Sequence, residues 1–186
     1  MSLSSAWFVH TARLRMAPVG YWDLRDLVAL KGSPLAFAQM LGGVRNAQQT
    51  AEELAQDIQD WGAHGYGMWS VRVLRGRFVG LTGLMHRPDG RGVGLRFAFW
   101  PEARGIGLAR EAAAAALHYA HGTAGLARVV AVAAEQNEAS RMVLGSVGMV
   151  EVERFTRDGV LRLVYASVRA QTDMKYRPGA PAVTGA

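Results

Sequence analysis

Residues 97–109 of the chain read FAFWPEARGIGLA, which combines an apolar strand pattern, a short loop and the beginning of an alanine-rich helix. Gly105, Gly107 and Ala109 are small enough to let a ligand approach the backbone closely. Their amides stand at the N-terminus of the expected helix, where unpaired N–H groups and the helix dipole favour an anion. Arg104 adds a forked cation suited to phosphate. The segment therefore predicts a cradle for a pyrophosphate group.

A plain helix start with packing glycines, a Walker loop and a dinucleotide-binding loop are the alternative interpretations of this segment. The Walker loop requires Gly-Lys-Ser/Thr at its end, which the sequence lacks. The dinucleotide loop is the stronger alternative, because residues 93–100, the helix and residues 127–134 form a β-α-β unit with Glu135 where a ribose-binding acid would stand. Against it, Arg110 occupies the third glycine position, and the preceding strands form a meander instead of alternating with helices.

The composition is that of a globular protein without cysteine chemistry. The 186 residues are 50% hydrophobic and 19% charged, which fits one domain with a sizeable core. The absence of cysteine excludes disulfides, a thiolate nucleophile and thiolate metal sites. The net charge of +6 suits a phosphate-rich cofactor, and because the basic residues are scattered no specific nucleic-acid partner is expected. His118 and His121 stand three residues apart without a third clustered ligand, so no metal site is predicted.

No stretch of the sequence predicts a membrane segment or an export signal. The first five residues lack the basic and apolar regions of a signal peptide. Residues 112–134 are apolar, but histidines, glycines and an arginine interrupt them too often for a membrane span. We therefore expect a cytoplasmic protein with no membrane partner. Residues 1–170 are expected to form a single domain, and residues 171–186 a flexible C-terminal tail.

Apolar periodicity and turn residues predict a domain of strands and helices. Three alternating segments that follow one another across tight turns are expected to form an antiparallel meander. Residues 50–53 match a capping box, which predicts a helix that begins there and ends at Gly62. The predicted strands are 7–16, 66–74, 78–86, 93–100, 127–134, 149–156 and 160–168. The predicted helices are 18–30, a short piece ending at Leu41, 50–62, 107–121 and 138–147.

These motifs, in this order, resemble the GNAT superfamily of acetyl-CoA-dependent N-acetyltransferases. The phosphate loop of that family reads Q/R-x-x-G-x-G/A, which Arg104, Gly107 and Ala109 match. The resemblance is nearest to the RimJ/RimL-like branch. That branch shows T-x-R-L-x-[LM] near its start, an E-A pair after the loop, and N-x-x-S before a G-F-like pair. The matching residues here are 11–16, Glu111-Ala112, Asn137 with Ser140, and Gly148-Met149.

The resemblance implies a GNAT-like α/β (α+β) fold: a mixed, mostly antiparallel twisted sheet of about seven strands with helices on both faces. Two central parallel strands, residues 93–100 and 127–134, are expected to splay apart and admit acetyl-CoA, the implied cosubstrate. Its pantetheine arm would pair with a strand backbone like an added strand. The residues implied in cofactor binding are Phe97, Phe99, Arg104, Gly105, Ile106, Gly107, Leu108, Ala109, Asn137 and Ser140.

The resemblance also implies direct transfer of the acetyl group to an amine. In such a transfer a strand amide polarises the thioester oxygen and an acid protonates the departing thiolate. Many family members place a tyrosine as this acid four residues before the G-F pair, where this chain has Leu144. Ser140 is therefore the predicted catalytic residue, acting directly or through water. The alternative is that Ser140 and Asn137 only cap the helix that begins near residue 138.

The general base is left open by the motifs. Where the branch often carries a glutamate, this chain has Arg96, which cannot accept a proton. A water chain, another residue such as Glu135, and a catalytically weak protein are the alternatives. Arg96 itself is expected to be an exposed strand arginine, with the binding of an acidic group on the acceptor as the other interpretation.

The leading functional hypothesis is an N-acetyltransferase that acts on a primary amine, either a protein N-terminus or a small amine such as a polyamine or an aminoglycoside. A CoA-binding protein without turnover and a dinucleotide-binding oxidoreductase are the alternatives. A homodimer is also considered, because an exposed final strand can pair between subunits.

Overall fold

The computed structural model describes residues 4–170, which form a single eight-stranded sheet flanked by helices. Residues 1–3 and the predicted tail, residues 171–186, lie outside the described residues. The strands are β1 (Val9–His10), β2 (Leu14–Pro18), β3 (Met68–Val73), β4 (Phe78–His86), β5 (Val93–Phe99), β6 (Arg128–Ala134), β7 (Val150–Arg157) and β8 (Val160–Val168). The helices are α1 (Leu24–Gly32), α2 (Pro34–Phe37), α3 (Ala47–His64), α4 (Leu108–Gly122) and α5 (Glu138–Ser146).

The strand order is β1-β2-β3-β4-β5-β6-β8-β7, and every neighbouring pair is antiparallel except β5 and β6. The predicted meander of β3, β4 and β5 is present in sequential order. The crossover from β5 through α4 to β6 is the step that produces a parallel pair, since parallel strands need a long connection. The predicted fold class, a mixed and mostly antiparallel sheet with helices, is confirmed.

The first predicted strand, residues 7–16, is wrong as a single element. The chain instead reverses at residues 11–13, so that Val9 of β1 pairs with Met16 of β2. Thr11 holds this turn, because its side-chain hydroxyl accepts a hydrogen bond from the amide of Leu14 at 3.0 Å. The sheet consequently has eight strands in the described residues, where the sequence predicted about seven.

The predicted helix at Pro18 begins six residues later, at Leu24, because Pro18 ends β2. The amide of the next residue, Val19, donates to the carbonyl of Met68 on the β3 side. Successive backbone nitrogens of a strand point to opposite edges, so the nitrogen of Pro18 faces the side of β1. The short β1 does not extend that far, and the missing N–H costs no ladder bond.

The start and end of α3 also differ from the prediction. The N-cap is Asn46, whose Oδ1 accepts from the amide of Gln49 at 2.8 Å, while Oε1 of Gln49 accepts from the amide of Asn46 at 3.0 Å. This reciprocal pair replaces the capping box predicted at residues 50–53. The helix continues through Gly62 and ends at Gly65, whose φ of 70° gives the left-handed conformation of a helix C-cap. As a result, α3 has 18 residues and spans the cavity described below.

The two faces of the sheet carry different helices. Ala112, Ala113, Ala116 and Ala120 of α4 are fully buried, and their small side chains let the helix lie close to the sheet on one face. The other face packs against α1 and α2 through a separate cluster that contains Leu27 and Phe37. Helices on both faces agree with the prediction. No helix among residues 4–170 combines the length and the apolar character needed to cross a membrane.

The final strand of the sheet is not an edge. Strand β8 lies between β6 and β7 and pairs with both along most of its length. The expectation of an exposed final strand is therefore wrong, because β8, the second strand of the last hairpin, lies between β6 and β7. The exposed edge at this end is β7, which carries the exposed apolar residues Val150 and Val152.

Candidate active site

A cavity of about 1000 Å³ opens where the parallel strands β5 and β6 separate. The two strands are joined at one position, Gly94 opposite Val130, and then diverge. On its other edge β5 pairs with β4 along its whole length, from Gly80–Phe99 to His86–Val93. Residues 95–99 therefore present one edge of backbone polar groups to the cavity. The predicted splayed pair is confirmed.

The glycine loop lies at one end of this cavity and has the conformation that its sequence requires. Gly105 and Gly107 have φ of 75° and 81°, in the left-handed region where other residues are strained. A Cβ placed on Gly105 would meet nothing within 4 Å, so the loop is open on that side. Helix α4 begins at Leu108 with no side-chain cap on its first amides. These amides and the helix dipole fit a pyrophosphate.

The N-terminal motif holds this loop in place. Glu111 of α4 accepts hydrogen bonds from the hydroxyl of Thr11 at 2.5 Å and from Nε of Arg13 at 2.6 Å. Arg13 in turn donates from Nη1 to the carbonyl of Ile106 at 2.7 Å. Burial by itself would raise the pKa of Glu111, but the bonds from Thr11 and Arg13 lower it. These hydrogen bonds connect the turn after β1 to the Glu-Ala pair in the first turn of α4.

Nine of the ten residues predicted to bind the cofactor line the cavity. They are Phe97, Phe99, Arg104, Gly105, Gly107, Leu108, Ala109, Asn137 and Ser140. The exception is Ile106, whose side chain is exposed and is not part of the cavity wall. Arg110, which the motif analysis considered only as a departure from the dinucleotide loop, also lines the cavity and adds a cation beside the glycines.

Arg104 is used differently from the expectation of a free phosphate fork. Its Nε donates to the carbonyl of Phe99 at 3.1 Å, and its Nη2 donates to the carbonyl of Leu35 at 2.9 Å. The side chain therefore ties the end of β5 to α2. This tether shapes the cavity wall at the loop, and two of the donor atoms of Arg104 are occupied by carbonyl oxygens.

Ser140 and Asn137 lie in the first turn of α5 and have separate roles in its geometry. Oδ1 of Asn137 accepts from the backbone amide of Ser140 at 3.1 Å, which is the capping interaction. The hydroxyl of Ser140 takes no part in that bond and has no hydrogen-bond partner among residues 4–170. Both residues line the cavity. The capping interpretation is therefore correct for the side chain of Asn137, and it leaves the Ser140 hydroxyl available.

The two positions considered for the acid and the base, residues 144 and 135, lie in different parts of the structure. Leu144, at the position where many relatives of the motif carry a tyrosine, is buried on α5 and lines the cavity. Glu135 is exposed and lies outside the cavity wall. Its backbone carbonyl accepts from Nη1 of Arg141 at 3.0 Å. The position of Glu135 gives no support to its candidacy as the base.

The end of the cavity opposite the glycine loop is lined by polar side chains that the motifs did not identify. Glu53, Gln56, Asp57 and Asp60 face it from α3. Their spacing of three and four residues places them on one side of a helix. That spacing is visible in the sequence, but an acidic helix face is ordinarily exposed to solvent, so the spacing alone did not indicate a functional site.

Arg96 faces the same end from β5 and is not the exposed arginine that the sequence suggested. Its guanidinium lies 5.3 Å from the ring centre of Phe37, and Nη1 contacts Sδ of Met85 at 3.9 Å. Nη2 is buried and has no hydrogen-bond partner in the described part of the chain. Burial lowers the pKa of Arg96, and the nearby carboxylates of Glu53 and Asp57 offset part of that effect.

His121, one of the two histidines three residues apart on α4, stabilises the fold. Nδ1 of His121 lies 2.7 Å from the carbonyl of Leu126, and Nε2 lies 2.8 Å from the hydroxyl of Ser167. Both ring nitrogens are thereby engaged. Within residues 4–170, no three His, Cys, Asp or Glu side chains come together in a group that could hold a metal ion.

Comparison with known proteins agrees with this geometry. Residues 13–150 match the model of the acetyltransferase (GNAT) domain. The FsC-acetyl coenzyme A-N(2)-transacetylase of Aspergillus fumigatus is 28% identical over 173 residues, covering 83% of this chain and 70% of the relative. The acetyltransferase of Agrobacterium tumefaciens superposes with a TM-score of 0.76 at 25% identity, over 86% of this chain and 93% of that one.

A more distant structure shares the fold. The spermidine N-acetyltransferase of Vibrio cholerae, solved in complex with CoA and spermine, superposes with a TM-score of 0.69 at 18% identity, over 86% of this chain and 97% of that one. Acetyl-CoA or CoA is the cosubstrate of such GNAT proteins, which confirms the predicted cosubstrate.

The oxidoreductase alternative is overturned by the sheet itself. A dinucleotide-binding half would place parallel strands on both sides of the β5-α4-β6 unit, whereas β5 and β6 are each flanked by antiparallel neighbours. The matched domain model covers most of the chain, including this unit and the glycine loop. The chain belongs to the GNAT family of acetyltransferases.

Proposed function

We propose that this protein transfers the acetyl group of acetyl-CoA directly to a primary amine, either a small amine or the N-terminal amino group of a protein. One observation carries the proposal: a single cavity is lined both by the uncapped N-terminus of α4 and by the carboxylates of Glu53, Asp57 and Asp60 on α3. The helix N-terminus suits an anionic cofactor and the carboxylates suit a cationic amine. The open edge of β5 also faces this cavity.

The residues of β5 and the loop account for cofactor binding. Amides of residues 105–109 hold the pyrophosphate, and Arg110 adds a cation next to them. The unpaired edge of residues 95–99 accepts the pantetheine arm as an added strand. Five residues of strand span about 16 Å. A pantetheine arm of that length extends from the glycine loop towards Gly94, where β5 and β6 meet. Acetyl-CoA supplies an activated thioester carbonyl there.

Ser140 supplies the proton that the leaving sulfur requires, directly or through water. Ser140 lines the cavity, and the capping bond of α5 uses its backbone amide and not its hydroxyl. The chain contains no cysteine, so no thiol can carry the acetyl group as an enzyme intermediate. The absence of a thiol agrees with direct attack by the amine on the thioester.

The relatives support an amine as the acceptor. The Aspergillus protein is an N(2)-transacetylase by name, and the Vibrio protein is a spermidine N-acetyltransferase. The network of Thr11, Arg13 and Glu111 supports our proposal that the chain is of the RimJ/RimL-like branch. We also treat residues 1–170 as one acetyltransferase domain.

The test is acetyl transfer to a panel of amines with detection of the released thiol. The panel contains spermidine, kanamycin and a short peptide with a free N-terminus. Turnover of at least one amine is the expected result. Binding of acetyl-CoA without turnover of any panel amine would favour the CoA-binding alternative, and absence of acetyl-CoA binding would overturn the proposal.

The variant Ser140→Ala tests the acid. It keeps the backbone amide that Asn137 caps, so the helix start is unchanged. We expect kcat to fall about 100-fold or more, as for loss of a general acid, with the KM for acetyl-CoA within about twofold. The matched control is Ser146→Ala on the same helix, because that hydroxyl is already bonded to the carbonyl of Val143 at 2.7 Å. An undiminished kcat in Ser140→Ala would remove Ser140 from the chemistry.

A further inference from the structure

Asp57 differs from the other carboxylates of the cavity wall in its lack of a hydrogen-bonded partner. It lies on α3 with 18% of its side chain exposed, and it lines the cavity. Its nearest cation is Nζ of Lys31, at 4.0 Å, which is beyond hydrogen-bond distance. No hydrogen bond to the Asp57 carboxylate exists among residues 4–170. Its oxygens are therefore free to accept a proton from a molecule in the cavity.

The neighbouring carboxylates are committed to other contacts. Glu53 accepts hydrogen bonds from Nζ of Lys31 at 2.7 Å and from Nε of Arg45. The first bond joins α3 to α1, and the second joins α3 to the loop that precedes α3. Burial would raise the pKa of Glu53, but these two bonds lower it. Asp60 accepts from the side-chain amide of Gln56 at 2.9 Å. Glu53 is thus held as an ion within the fold.

Arg96 lines the same cavity as Asp57 and, after Lys31, is the second cation whose charge acts on it. It stands two residues after Gly94, at the point where β5 loses β6 and the cavity begins. Its Nη2 is enclosed and has no hydrogen-bond partner within the described residues, and the charges of Glu53 and Asp57 act on the guanidinium from beyond ion-pair distance. A fixed positive charge at this point stabilises a carboxylate opposite it and disfavours an ammonium ion between them. The first effect keeps Asp57 in the ionised form that can accept a proton, and the second favours loss of a proton from the acceptor.

We propose that Asp57 is the general base that removes a proton from the ammonium group of the acceptor, and that Arg96 is a positioning residue that keeps the Asp57 carboxylate ionised. The proposal rests on the proposed function. One N–H bond of the ammonium breaks and its proton moves to Asp57. The nitrogen lone pair then forms the C–N bond, and the C–S bond breaks. A second amine proton replaces the one that Ser140 gives to the thiolate, and Asp57 releases its proton to water.

The electrostatic surroundings of Asp57 agree with that role. Burial raises the pKa of Asp57 to about 6. Lys31 from α1 and Arg96 from β5 oppose this rise, whereas Glu53 and Asp60 on the same helix add to it. A carboxylate with a pKa near 6 is ionised at neutral pH and remains basic enough to accept a proton in the transition state.

The experiment is the pH dependence of kcat/KM, with saturating acetyl-CoA and the panel amine that reacts best. Wild-type activity should rise with pH through an apparent pKa of about 6 and then level off. Asp57→Asn should lower kcat/KM at pH 8 about 100-fold or more and abolish that acidic limb. Asp60→Asn, which removes the same charge one helical turn away, should retain the limb. Unchanged acetyl-CoA binding by each variant establishes that the fold is intact.

Arg96 is tested by the displacement of the same limb. Arg96→Met removes the charge that opposes protonation of Asp57, so the limb should move to higher pH, whereas Arg96→Lys should leave it nearer its original place. A purely structural role would lower activity at every pH without moving the limb. Retention of the limb in Asp57→Asn would overturn the proposal. Its loss in His86→Gln, at another cavity residue, would assign it to that histidine instead.

A measurement without turnover separates this proposal from the proposed function. The carboxyl carbon of Asp57 is followed by ¹³C NMR titration of the acetyl-CoA complex, with Asp57→Asn to assign its signal. A midpoint near 6 that rises in Arg96→Met supports the pairing even if no panel amine reacts. A midpoint near 4, the usual value for an aspartate, would overturn it.

Discussion

Replacement of a loop glycine by glutamate separates cofactor binding from protein stability. Gly105 and Gly125 both have positive φ, of 75° and 68°, and a Cβ on either would meet nothing within 4 Å. Gly105 lines the cavity, whereas Gly125 lies between α4 and β6 away from the cavity wall. Gly105→Glu and Gly125→Glu therefore impose the same backbone strain and the same new charge, and only the first places that charge at the proposed pyrophosphate site.

The strain and the charge have different magnitudes and different readouts. A non-glycine residue in the left-handed region costs about 1–2 kcal/mol, which lowers the melting temperature of a chain of this size by about 2–8 °C in both variants. Like charges about 6 Å apart repel by about 2–3 kcal/mol at an effective dielectric constant near 20. Such a penalty weakens acetyl-CoA binding more than tenfold in Gly105→Glu alone.

Thermal unfolding with and without acetyl-CoA measures both quantities. At a ligand concentration of about 100 times the wild-type Kd, bound ligand stabilises the native state by about 2.7 kcal/mol, and a tenfold weaker Kd reduces this by about 1.3 kcal/mol. The acetyl-CoA shift of Gly105→Glu should therefore be smaller by about 3–5 °C or more, and that of Gly125→Glu unchanged. Equal shifts in the two variants would refute the assignment of the pyrophosphate to this loop.

Two further predictions concern the fold. Gly83→Ala should lower the melting temperature by about 4–8 °C, a loss of about 2 kcal/mol, because the new Cβ would lie 2.5 Å from backbone atoms of residues 67–68. Gly145→Ala on the open surface of α5 is its control and should not lower it. The Arg87 guanidinium lowers the pKa of Asp89 from 3.8 to about 2, so Asp89 contributes stability above about pH 4 that is lost as the pH falls towards 2. The stability difference between wild type and Asp89→Asn, measured by denaturant unfolding, should accordingly close over that range, and a difference that persists at pH 2 would contradict the shift.

Local sequence signals predicted much of the sheet and the cofactor end of the cavity. The meander, the glycine loop and the hairpin of β7 and β8 depend on apolar alternation and on turn residues within a few positions of each other. Gly105 and Gly107 adopt positive φ, a conformation that glycine reaches without strain, so the identity of these residues was sufficient to predict the loop. These features need no information about distant parts of the chain.

The errors occurred where a nearby signal competed with a tertiary one. Residues 7–16 alternate well enough for one strand, but Thr11 forms a turn that a bond to the distant Glu111 also stabilises. Asn46 and residues 50–53 both offer caps to α3, and the helix uses the earlier one. In each case a partner far away in the sequence, or a choice between equal local signals, decided the outcome.

The sequence by itself determined the fold class, the glycine loop and the family, because each depends on short-range patterns that persist in any context. The tertiary structure alone decided which charged side chains of α3 and β5 line the cavity. The sequence pattern around Asp57 is typical of a solvent-exposed helix face, and the pattern around Arg96 predicts an exposed position on a strand. Only the tertiary structure brings both residues to one cavity and withdraws them from solvent. Charge and proton affinity in a buried site depend on what surrounds each group, and those surroundings come from residues about 40 positions apart in the sequence.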